Sequence, residues 1–219
     1  SPNAANSANF STQAYAMVSS AASTTGDATG SLIADGARLS WTDQSSGELV
    51  NAILIGGDVE AYASIVTGNG TTSQLGISHG LTGTPDVLLF LVTGQSNSTI
   101  AAPARYVFGA WCSDAQACVG AVLAPNGVTT VATTARISST TAIASKANGA
   151  GFTWGGTVSN VGATTFDVAW SSGHTNAVHV LALRSTSGSP LGVKVGTFAT
   201  KTSTGTAADI SGMSVTPQL

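Results

Sequence analysis

The apolar residues of this chain recur mostly at every second position, in runs no longer than a strand, and that spacing limits what it can fold into. Ala37–Trp41, Leu49–Ile55, Tyr62–Val66, Thr84–Val92, Tyr106–Cys112, Cys118–Leu123, Val128–Ile137, Thr165–Trp170, Ala177–Leu183 and Leu191–Phe198 are rich in β-branched or aromatic residues and bounded by Gly, Asn, Ser or Pro. A period of two lays side chains alternately on the two faces of a strand. Gly68-Asn69-Gly70, Pro125-Asn126-Gly127 and Asn148-Gly149 supply the positive φ that tight turns need. About ten strands at this spacing predict an all-β fold of β-sandwich or jelly-roll-like architecture. One segment is ambiguous. In Phe10–Ser23 the apolar residues fit a helix, and Ala14–Val18 fits an edge strand equally well.

Charge narrows the function classes. Asp, Glu, Lys and Arg make up 8% of the 219 residues, against about 25% in ordinary globular chains. Seven basic residues face ten acidic ones, without a run of either sign. A basic footprint for nucleic acid or an anionic membrane is therefore missing. At 42% hydrophobic residues the chain is too apolar to read as disordered. Val87–Val92 and Val178–Leu183, the longest stretches that are apolar or nearly so, fall far short of the about 20 residues of a membrane-spanning helix. A surface of Ser, Thr, Gly, Asn and Ala loses little side-chain entropy when covered. Such a surface suits an assembly component or a secreted protein.

The chain also echoes itself. Residues 37–57 and 166–185 both run from a strand ending in Trp, through a polar turn, into an apolar strand. The stretches that follow, 61–85 and 193–217, each end in Thr-Pro. We read this as a duplicated β module, offset from the chain ends. Residues 1–83 form a partial module and residues 84–219 a complete one, which Thr84–Val92 opens. Duplicate placement of Trp41 and Trp170 predicts that both belong to cores. The partial module lacks an opening strand and so exposes a sheet edge. The tail Gly212–Leu219 carries the start of such a strand and could fill that edge by strand addition, within one chain or between neighbours; the alternative is a frayed terminus.

The stretch TGNGTTSQLGISHGLTGTPDVLLFL, from Thr67 to Leu91, resembles a β module of phage and prophage virion structural proteins, as does Val180-Leu-Ala-Leu-Arg184. The similarity covers roughly residues 60–92 and 161–200. The second copy departs from it, with Thr200-Lys-Thr-Ser in place of T-G-N-G and Gln218 in place of the Asp. The resemblance implies a virion or tail-associated component and carries over no catalytic residue. The expected function is thus a phage virion structural protein, a capsid-decoration or tail/fibre component working through subunit contacts. Its expected partners are copies of itself, with a trimer favoured, and other virion proteins, with a host glycan as a further candidate; its expected location is the virion. The alternative is a secreted or cell-surface carbohydrate-binding or adhesin module.

Chemistry is sparsely signposted. His79 and His174 sit in Gly-rich turns and His179 inside a strand, none at ligand spacing, so no metal site or cofactor is expected. No G-x-S-x-G elbow occurs in strand–turn–helix context. Glu48 and Glu60 are the only glutamates, and the aspartates fall in turns or beside strand ends, so we expect no enzyme. Gly68–Gly70 lacks the following helix of a phosphate loop and reads as a hairpin turn. Cys112 and Cys118 flank a five-residue loop and form either a disulfide or two free buried thiols. Trp111, Trp154, Tyr106 and Tyr62 are the candidates for a contact surface, with core burial the alternative for Trp111 and Trp154, and a glycan-binding module would array them as an aromatic strip. Deleting Gly212–Leu219 separates the two readings of the tail. Loss of assembly and of thermal stability marks it as the missing strand, and unchanged behaviour marks it as frayed.

Overall fold

The computed structural model describes residues 7–8, 15–18, 24–33, 36–43, 57–94, 100–101, 104–123, 134–146 and 151–197. The fold is all-β. Among the described residues no helix forms. In chain order the strands are β1 (Ser7–Ala8), β2 (Tyr15–Val18), β3 (Thr24–Ile33), β4 (Gly36–Asp43) and β5 (Val59–Thr67). Then come β6 (Ser73–Ser78), β7 (Val87–Val92), β8 (Ile100–Ala101), β9 (Ala104–Cys112) and β10 (Ala115–Leu123). The last are β11 (Thr134–Ser138), β12 (Ile143–Lys146), β13 (Phe152–Ser159), β14 (Thr165–Trp170) and β15 (Ala177–Ser185).

Two antiparallel sheets make a β-sandwich. One has six strands in the order β11-β10-β9-β7-β15-β5, the other four in the order β12-β13-β14-β6. β2, β3 and β4 form a separate three-stranded sheet, and β1 pairs with β8. The ambiguous N-terminal segment thus takes its strand alternative at Tyr15–Val18, on the edge of the three-stranded sheet. The expected strands at 49–55 and 128–133, the turns at 125–127 and 148–149, and the tail 212–219 lie outside the described residues.

The inner faces mesh into one core. Leu88, Phe90, Val92, Val107, Val178 and Val180 come from the six-stranded sheet. Ile77, Ile143, Trp154, Val158, Phe166, Val168 and Trp170 come from the other. Phe90 meets Phe166 edge to face at 6.2 Å between ring centres. β12 lies across β7, β9 and β10 of the facing sheet. The approach is closest at Gly109, where a Cβ would stand 1.8 Å from the carbonyl oxygen of Ala142. Only hydrogen fits there.

Four sequence expectations need correcting. β5 pairs with β15, and β6 with β14. Both sheets therefore cross the expected module boundary at 83/84. Gly68–Gly70 joins β5 to β6, which belong to different sheets, so the turn is an arch between sheets and not a hairpin. Residues 191–197 form no strand. Leu191 N donates to Asp86 Oδ2 (3.1 Å) and Lys194 Nζ to Asp114 Oδ2 (3.0 Å), which lays the segment beside the six-stranded sheet instead of pairing it. The echoed Trp strands do both form, as β4 and β14, but Trp170 is 5% exposed and Trp41 42%. Trp41 stands on an edge strand of the small sheet and does not have the core role expected of it.

The tight spot yields a prediction. Gly109→Ala should lower stability by about 2–3 kcal/mol, because backbone must shift to admit the methyl. Gly151→Ala, with nothing within 4 Å of the added Cβ, should change it by less than about 0.5 kcal/mol. Urea midpoints of the two variants check this.

Candidate functional site

Register fixes which side chains share a face, because directly paired residues of an antiparallel sheet point the same way. Across the six-stranded sheet, Tyr62 pairs with Ala182, Ala182 with Leu88, Leu88 with Trp111 and Trp111 with Gln116. Leu88 belongs to the core, so this row faces inward. The row three residues further along the strands faces outward. It runs Ile65, His179, Leu91, Phe108, Val119, Ile137 across all six strands.

The outward positions differ from those of an ordinary solvated sheet. On the four-stranded sheet Thr153, Thr157, Ser159 and Asp167 alternate with buried residues, as one wet face requires. On the described outward positions of the six-stranded sheet no Asp, Glu, Lys or Arg occurs. Glu60, Arg105, Arg136 and Arg184 all fall on the inward parity. Within the outward row Leu91 is 40% exposed, Phe108 53%, Val119 48% and Ile137 60%. Beside it lies an apolar groove of about 440 Å³. Phe108, Val119 and Ile137 wall it on one side, Ala110 and Ala117 line it, and Lys194–Thr197 closes the other side.

The expected contact residues do not gather into one strip. Tyr106 is exposed and pairs with Ala121 on the outward parity. Tyr62 is exposed too, but on the inward parity at the opposite edge, with its ring against Gly80. Trp111 is half-buried against the core. Trp154 is buried: its indole N–H donates to Asn176 Oδ1 (3.2 Å) and its ring stacks on His174 at 3.7 Å. Trp154 is therefore a core residue and not a contact residue.

The cysteines are two free buried thiols. β9 and β10 are a tight hairpin in which Cys112 pairs with Ala115 while Cys118 pairs with Gly109. The two side chains therefore point to opposite faces and cannot bond without unravelling the hairpin. Burial pushes the Cys118 thiol up to about 11, which keeps it protonated and unreactive.

The acidic groups serve as local ties. Glu60 accepts from Arg184 Nε, from Thr82 N (2.8 Å) and from Thr82 Oγ1 (2.9 Å), and Arg184 Nη2 donates to Thr82 Oγ1 (2.8 Å). The Arg184 guanidinium, with Thr82, holds the Glu60 carboxyl below its usual range. Asp86 accepts from Ser185 N (2.7 Å) and Leu191 N. Thr82, Asp86 and Arg184, polar residues of the T-G-T-P-D and A-L-R stretches, thus bind the chain leading into β7 to the end of β15. Asp167 takes Asn160 Nδ2 (2.8 Å) and Gly76 N (2.8 Å), which lower its carboxyl below the usual range. Among the described residues no three His, Cys, Asp or Glu side chains cluster as a metal site, and no helix is long and apolar enough to cross a membrane.

His174 closes one end of the sandwich. It stacks on Trp154 and meets Trp170 edge-on at 4.4 Å, and neither ring nitrogen has a hydrogen-bond partner within the protein. A Cβ on Gly68 would clash with its ring. Compared with known proteins, the chain matches no family model, no curated protein and no solved structure.

Burial lowers the pKa of His174 from 6.5 to about 4, and burial lowers that of His179 too. The fold therefore favours neutral imidazoles. Stability is full above pH 6.5 and falls as the pH drops toward 4, by about 1.4 kcal/mol per pH unit for His174 in that window. Wild-type protein should lose about 2 kcal/mol between pH 7 and pH 5. His174→Phe, which keeps the ring stack, should remove most of that slope in urea titrations. A wild-type slope of zero would refute the assignment.

Proposed function

We propose that the chain is a bacteriophage virion structural protein, a capsid-decoration or tail/fibre component that acts by contact with neighbouring subunits. The observation that carries this reading is the outward face of the six-stranded sheet, apolar and without a charged side chain among its described positions. A sheet of a solitary protein alternates apolar and polar residues. This one is furnished on both sides like a sheet between two layers. Apolar contiguous surface of this kind marks interaction sites.

Two further features support the reading. The residues that carry the resemblance to virion modules act as ties between strands, which is the role a purely structural motif needs. The carboxylates of Glu60, Asp86, Asp114 and Asp167 are each engaged by backbone or side-chain donors, as scaffold groups are. The partners on this reading are copies of the chain and other particle proteins, and the location is the particle.

Mass spectrometry and immunogold microscopy of particles purified from the native source test it. The expected outcome is stoichiometric label on capsid or tail. Recovery of the protein only as a free monomer in cytosol or medium would refute it.

A further inference from the structure

We propose that the outward face of the six-stranded sheet is the contact between two copies of this chain, packed ridge into groove. The inference takes its biological setting from the virion reading, but its geometry stands on the sheet alone.

The ridge is the row Leu91, Phe108, Val119, Ile137, whose members are direct cross-strand partners on four adjacent strands. One row further along the strands, Leu89, Ala110 and Ala117 are likewise direct partners. The step from Phe108 and Val119 to Ala110 and Ala117 drops from large to small side chains, and the groove of about 440 Å³ occupies that step. Ridge and groove lie about 7 Å apart, the spacing of alternate residues on a strand. Facing sheets pack about 10 Å apart with interdigitated side chains. Turning a second copy about a two-fold axis between the two rows sets each ridge over the other's groove.

Charge favours a copy of this chain as the occupant. In a two-fold contact every residue faces the same surface it belongs to, so any charge near the axis meets its like. This face presents none. Lys194, at the groove rim, already pairs with Asp114. A charged partner would find nothing here to orient it. Size agrees as well. The exposed members of the face lie on β7, β9, β10 and β11 and span about 19 Å by 20 Å, or about 400 Å² per copy. Two copies would bury about 800 Å², the size of a weak, reversible contact. The expected result is a reversible dimer, and a two-fold contact closes at two copies and not at the three anticipated from sequence.

Sedimentation equilibrium of the full chain tests the proposal. Wild-type protein should dimerise with a dissociation constant in the range of about 1–100 µM. Val119→Asp and Ile137→Asp, at exposed positions, should each weaken it at least about a hundredfold, because the contact sets like charges together. Circular dichroism and Tm at low concentration should stay unchanged. Phe108→Ser provides the same test without a charge should either Asp variant fail to fold. Leu75→Asp, exposed on the four-stranded sheet, should leave association intact. A wild-type monomer at about 1 mM, or equal weakening by Leu75→Asp, would overturn the interface. Val119→Asp protein entering particles at wild-type stoichiometry would overturn it too and leave the virion reading in place. A wild-type dimer that never occurs in particles would do the reverse.

Discussion

The sandwich depends on how closely its two sheets approach at β9 and β12. At Gly109 there is room for hydrogen alone, with the Ala142 carbonyl on one side and Cys118 Cβ on the other. That contact sets the distance between layers, and the large inner residues are arranged around it. Phe90 and Phe166 meet edge to face between the sheets. Trp154, Trp170 and His174 fill the end where the arch at residues 68–70 meets the turn at residues 173–176. That meeting is itself a matter of small residues. Gly70 N donates to His174 O (2.9 Å), Gly68 N to Asn176 O (3.1 Å), and Gly173 leaves no room for a Cβ against Gly70 O. Tight packing of this kind is what gives a core one arrangement instead of several.

With few ionic groups to place, the chain closes its loops with short polar side chains and backbone donors. Asn69 Oδ1 accepts from Thr71 N, and Thr71 Oγ1 donates its one proton to Ser73 O. Gln116 bridges the sheets, giving its amide to Val158 O and receiving Val158 N. Asn176 reaches from Trp154 Nε1 to Gly94 O. Each link is a neutral hydrogen bond worth about 1 kcal/mol net, and at the part-buried Gln116 and Asn176 links leaving a partner unsatisfied would cost more. The ion pairs of Arg184 with Glu60 and of Lys194 with Asp114 lie at strand ends, where the first ties β15 to β5 and the second sets the course of residues 191–197.

Much of this was legible in the sequence, and the failures have physical causes. β7, β9, β10, β14 and β15 announce themselves because their apolar residues are dense and their ends are marked by turn formers. β3 and β13 do not. TTGDATGSLI and FTWGGTVS hold so much Gly, Ser and Thr that no alternation shows. β13 is a strand because Gly156 admits the Trp170 ring and Trp154 finds its stack, both of them tertiary facts. Residues 191–197 fail in the opposite sense. Leu191, Val193 and Val195 alternate as a strand should, but Asp86 and Asp114 claim the segment first. For Trp154 the sequence left both a contact and a core role open, because the echo offered it no counterpart and a lone Trp gives no hint of the imidazole that buries it.

The contact face was the least legible part, although its signal lay in plain view. A strand with one wet face alternates, whereas VLLFLV in β7 and AVHVLALRS in β15 are apolar at nearly every position. Read singly, such a run means only a central strand, and Leu91 or Phe108 passes for core. The distinction appears when neighbouring strands are aligned. The outward parity of β9 and β10 holds Tyr106, Phe108, Ala110, Ala117, Val119 and Ala121. Two adjacent strands both apolar on the parity that leaves the core describe a face and not a run. Alignment of strands is set by hairpin turns, here Ser113-Asp114 between Cys112 and Ala115. A one-residue slip in that turn would exchange the two faces of β10. Cys118 and Gly120 would then point outward, and Val119 would be driven against the Ala142–Gly109 contact that has no room for it. The inner packing therefore holds the register, and the register decides which apolar residues are presented on the outer face.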